Sequence, residues 1–85
     1  MPWALLITRS AERDLKALTS VDLRRINAAF ESMRANPYSG DVKFLAGTAG
    51  VLRRRVGAWR ILFEVHQRER RLVILGVRRR TSTTY

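Results

Sequence analysis

Two repeat periods follow one another along this chain of 85 residues, and the change between them constrains its fold more than any other feature. Between Ser10 and Pro37 the apolar residues recur at helical spacing, whereas after Gly50 they alternate with polar residues as in β-strands. A chain this short buries a single hydrophobic core, so the helical and strand segments must share it. We therefore predict one α+β domain that spans residues 1–85.

The helical part divides into two amphipathic helices. Ser10 is the predicted N-cap of the first helix, and Thr19 or Ser20 is the predicted N-cap of the second. Their apolar stripes consist of Ala11, Leu15 and Leu18 in the first helix and of Leu23, Ile26, Phe30 and Met33 in the second. Pro37 ends the second helix because proline disfavours helical geometry in the residue before it. The link between the helices is so short that we expect an antiparallel helical hairpin.

Strands account for most of the remaining chain. One strand is predicted at residues 3–8, and three more at residues 51–56, 59–66 and 72–79, because these runs are rich in β-branched and aromatic residues. Gly57 supplies the positive φ that a two-residue hairpin needs, so the second and third strands should pair directly. The predicted order is βααβββ. The helical hairpin packs on one face of a four-stranded, mainly antiparallel sheet, and the other face is open to solvent.

Residues 37–50 separate the helices from the last three strands. This segment contains Pro, Ser, Asp, Thr and three glycines, a composition typical of a connecting loop. We expect its adjacent residues Phe44 and Leu45 to anchor the loop in the core.

Alternation along the strands indicates which side chains share the open face of the sheet. In residues 59–66 the aromatic and β-branched set faces the core, which sends Arg60 to the open face. Arg53 and Arg55 point the same way. The basic run at residues 78–80 ends the last strand, but two alternating sets of residues in that strand fit the core equally well, so the facing of these arginines is not decided. Glu64 is the one acidic side chain expected near this cluster of arginines.

The net charge of +10 is concentrated in the second half of the chain. Residues 1–42 carry six basic and five acidic side chains, whereas residues 43–85 carry eleven basic and two acidic ones. Fifteen of the seventeen basic residues are arginine, whose planar guanidinium binds phosphate through paired hydrogen bonds and keeps its proton near neutral pH. This distribution indicates a polyanionic partner such as nucleic acid.

The residue types also exclude several classes of protein. With no cysteine and one histidine, the chain can form no disulfide, thiolate nucleophile or cysteine- or histidine-based metal centre, and we expect no cofactor. No apolar run approaches the roughly 18–20 residues of a membrane span. Residues 1–7 lack the basic start and cleavage site of a secretory signal. We therefore expect a cytoplasmic protein without membrane contact.

Several segments, in this order of elements, resemble the RelE/ParE toxin superfamily. They are Asn36-Pro37, residues 43–47 (KFLAG), residues 52–65 (LRRRVGAWRILFEV) and the ending Arg79-Arg80 with Tyr85. The resemblance covers nearly the whole chain, and residues 52–65 are its most specific part. It implies a RelE-type toxin, a ribosome-dependent mRNA endoribonuclease that inhibits translation. It also implies a cognate antitoxin, which neutralises the toxin and binds operator DNA together with it.

The resemblance implies roles for individual residues, position by position. The implied catalytic residues are Arg53, Arg55, Arg60, Arg79 and Tyr85. The first two correspond to a basic pair beside the scissile phosphate, and Arg60 to an arginine that stabilises the transition state. Arg80 takes the place of Arg79 if the alignment gap is placed differently. We expect contacts with the RNA from the other basic residues of this region, Lys43, Arg54, Arg78 and Arg80.

Two positions depart from the pattern of the superfamily. Ala46 stands where some members carry an arginine, and Arg53 and Arg55 stand where the best-studied enzymes use lysine. Arginine is a poor base because it holds its proton. Tyr85 is the better candidate for the general base, since nearby cations lower the pKa of a phenol. His66 is an alternative, although it lies at the far end of its predicted strand from Arg60.

Two other functions are compatible with the same fold. A ParE-like inhibitor of DNA gyrase needs no RNA-cleaving residues, and its action would break DNA while messages stay intact. A non-catalytic member would bind nucleic acid and its antitoxin without turnover. Salt-sensitive RNA binding without cleavage would indicate that third function.

Overall fold

A computed structural model describes residues 2–80 of the chain. Its elements are β1 Ala4–Ile7, α1 Arg9–Lys16, α2 Ser20–Ala35, β2 Asp41–Phe44, β3 Leu52–Val56, β4 Trp59–His66 and β5 Arg71–Arg79. The strands form one sheet in the order β1-β5-β4-β3-β2, in which β1 runs parallel to β5 and all other neighbours are antiparallel. The two helices pack on this sheet, which confirms the predicted α+β class. Among the described residues, no helix has both the length and the apolar composition needed to cross a membrane.

The predicted count of four strands is wrong, because residues 41–44 form a fifth strand inside the predicted loop. This strand, β2, pairs with β3 and forms one edge of the sheet. Its alternation of polar and apolar residues spans only four positions and lies between glycines, so the sequence favoured a loop. Phe44 is 75% exposed, and its predicted role as a core anchor is therefore also wrong, whereas Leu45 is partly buried.

The hydrophobic core lies between the helices and the sheet. Ile26, Phe30 and Met33 of α2 are buried, as their helical spacing predicted. Ile61 and Phe63 of β4 belong to the same cluster and have no exposed surface. Burial of an apolar side chain of this size contributes about 1.5–3 kcal/mol, so β4 cannot slip by one residue without losing both contributions. The core thereby fixes which side chains of β4 reach the open face.

The hairpin between β3 and β4 forms as predicted. Gly57 has a φ of 58° at the first turn position, in a region that glycine enters without steric cost. The ladder pairs Val56 with Trp59 on the two sides of the turn and continues without interruption to the start of β3. The open face of this hairpin is the one that carries the predicted arginines.

A β-bulge in β5 resolves the register that the sequence left open. Leu75 is an extra residue between two consecutive pairs of the β4–β5 ladder. Leu72 and Ile74 are buried before the bulge, and Val77 is buried after it. One inserted residue thus reverses the face of every residue beyond it, including the arginines at the end of β5.

A threonine side chain caps each of the two helices, but only one of the two predicted caps is correct. Thr19 caps α2 as predicted, whereas Thr8 and not Ser10 caps α1. Thr8 Oγ1 accepts the Ala11 N–H at 3.2 Å and donates to the Ile74 carbonyl at 2.8 Å. Thr8 therefore joins the start of α1 to β5 as well as capping the helix.

Helix α1 covers a sheet edge that would otherwise stay open. Strand β1 pairs with β5 only as far as Ile7 and Ile74, so the second half of β5 has a strand, β4, on one side only. Asp14 of α1 fills this position, and its Oδ2 accepts the Val77 N–H at 2.9 Å. A covered edge protects the sheet from pairing with another chain.

Replacement of Thr8 by alanine should destabilise the fold more than replacement of Thr19 by alanine. Both variants lose a cap worth about 0.5–2 kcal/mol. Thr8→Ala also removes the hydroxyl bond to the Ile74 carbonyl, which adds about 1 kcal/mol. Urea unfolding followed by circular dichroism measures both losses, and Thr8→Ser, which keeps the hydroxyl, serves as control. Equal losses for the two alanine variants would contradict the link between α1 and β5.

Candidate functional site

Three neighbouring strands bring arginines into one row across the open face of the sheet. Arg55 of β3 lies opposite Arg60 of β4, and Arg60 lies opposite Arg78 of β5. Asp41 of β2 lies opposite Arg55 at the edge of the sheet. Residues paired in an antiparallel ladder have Cβ atoms about 4.5–5.5 Å apart, so these side chains start close together.

A concave pocket of about 130 Å³ opens beside this row. Its lining residues are Arg53, Arg55, Arg60 and Arg80, and we call it the arginine pocket. Its volume is several times the ~30 Å³ that one water occupies in the liquid. The side chains of Arg60 and Arg80 have no hydrogen-bond or ion-pair partner among residues 2–80. Their N–H groups are thus available to an anion, and guanidinium groups bind phosphate oxygens strongly.

The bulge in β5 decides which of two adjacent arginines reaches the arginine pocket. Arg80 lines it, and the Arg80 backbone N–H donates to the Ala58 carbonyl at 2.7 Å, which ties the end of β5 to the β3–β4 turn. Arg79 lies opposite Trp59 in the ladder, and its guanidinium carbon is 5.6 Å from the centre of the Trp59 ring. Arg79, an implied catalytic residue, therefore lies outside the pocket, and Arg80 lies in it.

Two further basic residues lie on the open side of the sheet but outside the arginine pocket. Arg78 turns toward α1, where its Nε is 3.2 Å from Asp14 Oδ2. Lys43 is exposed on the edge strand β2, directly opposite Arg53. The contacts with RNA expected of these two residues stay predictions.

Arg54 does not face the arginine pocket, although we expected it to contact RNA. It alternates with Arg53 and Arg55 along β3, and its Nη1 donates to the Ala29 carbonyl and to Ser39 Oγ, at 3.4 Å each. Gly40 packs so closely on the Arg54 guanidinium that a Cβ on Gly40 would lie 2.9 Å from it. Arg54 thus fastens the start of β2 to α2.

An acidic residue that the sequence analysis missed lies at the edge of the arginine pocket. Asp41 Oδ1 is 3.6 Å from Arg53 Nη1, and Asp41 Oδ2 is 3.8 Å from Arg55 Nη1. The expectation that Glu64 is the acid near the cluster is wrong, because Glu64 Oε1 pairs with His66 Nε2 at 2.9 Å near the other end of β4. The alternation of β2 is a sequence signal for Asp41, but its four residues are too few to predict a strand.

The structure tests one of the two residues predicted as general base. His66 ends β4, whereas Arg60 lies at the start of the same strand, so His66 is remote from the arginine pocket. Tyr85 lies outside the described residues, and its role stays a prediction. Within residues 2–80, no three acidic or histidine side chains are grouped closely enough to hold a metal ion.

The sequence and the fold were compared with known proteins. A family model for the ParE toxin of type II toxin-antitoxin systems matches residues 5–83. None of the curated protein sequences matches the chain.

Solved structures share the fold over nearly the whole chain. A chain of the toxin-antitoxin complex RelBE2 from Mycobacterium tuberculosis has 29% identity and a TM-score of 0.83, covering 94% of this chain and 100% of that one. A chain of the archaeal RelE-RelB complex from Pyrococcus horikoshii has 23% identity and a TM-score of 0.82, covering 98% and 100%. The isolated Escherichia coli RelE toxin has 12% identity and a TM-score of 0.80, covering 95% and 87%.

Gly40→Ala should cost more stability than Gly47→Ala. Both glycines have a positive φ, 79° and 81°, where a side chain costs about 1–2 kcal/mol. A Cβ at Gly40 would also meet the Arg54 guanidinium, whereas a Cβ at Gly47 would meet nothing within 4 Å. Displacement of Arg54 breaks its bonds to Ala29 and Ser39, which adds about 1 kcal/mol. Urea unfolding of the two variants tests this order, and equal losses would contradict it.

Proposed function

The chain belongs to the ParE toxin family of type II toxin-antitoxin systems, within the RelE/ParE superfamily, and we propose that it cleaves messenger RNA on the ribosome without a metal ion. Membership of the family makes the chain a toxin. The proposal concerns the reaction by which this toxin acts.

The observation that carries the proposal is the arginine pocket. Four guanidinium groups surround one concavity, and the side chains of Arg60 and Arg80 have no partner among residues 2–80. Like charges at contact distance repel by about 1 kcal/mol per pair even in bulk water. A set of cations that the fold holds together in this way is suited to an anionic ligand with several oxygens, such as a phosphodiester.

An RNA chain can cleave itself when a 2′-hydroxyl attacks the adjacent phosphorus in line with the leaving oxygen. The O–P bond to the 2′-oxygen forms, the bond to the 5′-oxygen breaks, and the products are a 2′,3′-cyclic phosphate and a 5′-hydroxyl. The protein must align the chain, accept the 2′-hydroxyl proton, protonate the 5′-oxygen and stabilise the extra negative charge at phosphorus. All four tasks lie within the reach of side chains alone.

Arginine side chains suit two of these tasks. In the proposed reaction Arg53 and Arg55 hold the phosphate oxygens, and Arg60 and Arg80 bind the charge that develops in the transition state. Removal of one preorganised donor of this kind typically costs about 2.7–4 kcal/mol of barrier. The proton transfers need another group, because arginine holds its own proton. We propose Tyr85 for one of them.

We also propose a cognate antitoxin as the partner that controls this toxin. The solved relatives include RelE-RelB toxin-antitoxin complexes. The net charge of +10 and the exposed arginines favour an antitoxin segment with acidic residues over the open face of the sheet. Such a segment would compete directly with RNA, and operator DNA would be bound through the antitoxin complex.

A second candidate function is inhibition of DNA gyrase. The observation that favours it is that the matching family model is that of the ParE toxin. Gyrase inhibition predicts a DNA damage response while messages remain intact. An assay of chromosome breaks in cells that express the chain separates the two functions, because mRNA cleavage predicts no breaks.

Arg60→Ala should abolish the growth arrest that expression of the toxin without antitoxin causes. Loss of this donor should slow cleavage by about 10²–10³-fold, while the fold is kept because the side chain lies on the open face. Colony counts after induction and incorporation of labelled amino acids measure the effect, with circular dichroism as the control for folding. A folded variant that arrests growth as strongly as the wild-type chain would contradict the proposal.

Arg80→Ala and Arg79→Ala form a matched pair that tests the pocket. Both variants remove one positive charge from adjacent positions, yet only Arg80 lines the arginine pocket. We expect cleavage of translated messages to fall by about 10²-fold or more for Arg80→Ala. For Arg79→Ala, which loses a contact with Trp59 worth about 0.5–1 kcal/mol, we expect a small loss of stability instead. The reverse order of activities would show that Arg79, and not Arg80, is the functional arginine.

A further inference from the structure

We propose that Asp41 is a positioning residue of the arginine pocket. Its carboxylate holds Arg53 and Arg55 in place by charge, while their other N–H groups remain available for a phosphate. This inference rests on the proposed function, because it assigns Asp41 a role in the same site.

The two contacts of Asp41 are ion pairs rather than hydrogen bonds. The distances of 3.6 Å to Arg53 Nη1 and 3.8 Å to Arg55 Nη1 exceed the ~2.7–2.9 Å of a charge-assisted N–H···O bond. Arg53 Nη1 is buried and has no hydrogen-bond partner among residues 2–80. The carboxylate therefore supplies negative charge to the two arginines without using their hydrogen-bonding capacity.

This charge balances a crowded set of cations. Arg55 lies directly opposite Arg60 in the ladder, and Arg53 lies two residues before Arg55 on the same face of β3. Asp41 is the one acidic side chain among residues 2–80 that pairs with arginines lining the pocket. Without it, Arg53 and Arg55 would move apart toward water, because no other acidic side chain among residues 2–80 pairs with them to offset their repulsion.

The backbone of Asp41 is itself firmly placed. Asp41 starts β2, where it pairs with Arg55 in the ladder, and it follows Gly40, whose backbone packs on the Arg54 guanidinium. Arg54 in turn bonds the Ala29 carbonyl of α2. A backbone held in this way keeps the Asp41 side chain beside its two arginines, as a positioning role requires.

The role predicts opposite effects on binding and on turnover. A phosphate competes with Asp41 for the same two arginines, so removal of the carboxylate should leave the affinity for RNA unchanged or raise it. The arginines would no longer be held where the transition state needs them, and misplacement of a catalytic group by about 1 Å can cost on the order of 10²-fold in rate. The turnover number kcat should therefore fall while KM does not rise.

The test compares Asp41→Asn with Glu31→Gln. Both variants remove one negative charge. Asp41→Asn removes two ion pairs with arginines of the pocket, whereas Glu31→Gln removes the single pair with Arg34, which lies on α2, away from the pocket. The kcat and KM for cleavage of a message on purified translating ribosomes are measured for each. Asp41→Asn should lower kcat by about 10- to 100-fold, and Glu31→Gln should leave it unchanged. Asp41→Glu, which keeps the charge, should recover most of the loss.

A second measurement does not depend on cleavage. The Nε–H signals of Arg53 and Arg55 are recorded by NMR in the unliganded protein. The protein is then titrated with an oligoribonucleotide whose 2′-O-methyl groups prevent cleavage, which measures the affinity for RNA. In the unliganded Asp41→Asn variant these signals should shift toward the values of free arginine, while Glu31→Gln leaves them in place. Unchanged signals, or a kcat equal to that of Glu31→Gln, would overturn the positioning role. If the wild-type chain cleaves no message, the proposed function fails, and the NMR result still decides the role of Asp41.

Discussion

The face-to-face pairing of Arg55 and Arg60 across the β3–β4 hairpin is the constraint on which the site depends. Two guanidinium groups in this position repel, and only a ladder whose register is fixed by other interactions can keep them there. Ile61 and Phe63 supply that fixation from the opposite face, since a slip by one residue would bring them into water. The apolar core on one side of the sheet thus holds the charges together on the other.

Three local features complete the arginine pocket around this pair. The bulge at Leu75 turns Arg80 toward the pocket and Arg79 toward Trp59. The bond from the Arg80 N–H to the Ala58 carbonyl ties the end of β5 to the hairpin turn. Edge strand β2 adds the one carboxylate that contacts these arginines within the described part of the chain. The proposed phosphate site is thereby built on paired strands, which hold side chains more rigidly than loops do.

Much of the fold could be predicted from the sequence because burial on one side gives strands and helices a clear period. The stripe that includes Ile26 and Met33, the turn at Gly57 and the arginines of the open face all follow from that period. Strand β2 could not be predicted, because it depends on pairing with β3 rather than on its own composition. Because β5 changes its buried face at the bulge, the sequence of this strand is compatible with two registers. The choice between Arg79 and Arg80 therefore needed the structure. Asp41 was missed for the same reason as its strand.

The central claim is that the arginine pocket promotes attack by a ribose hydroxyl on the adjacent phosphate of a translated message. The most direct test adds the purified chain to ribosomes programmed with a defined message. Free Mg²⁺ is lowered with a chelator to the lowest concentration at which the ribosomes stay assembled. Cut positions are then mapped by primer extension, and the ends are identified by mass spectrometry. The account predicts cuts within translated codons that leave a 2′,3′-cyclic phosphate and a 5′-hydroxyl. Uncut messages, or cuts that leave a 5′-phosphate, would contradict it.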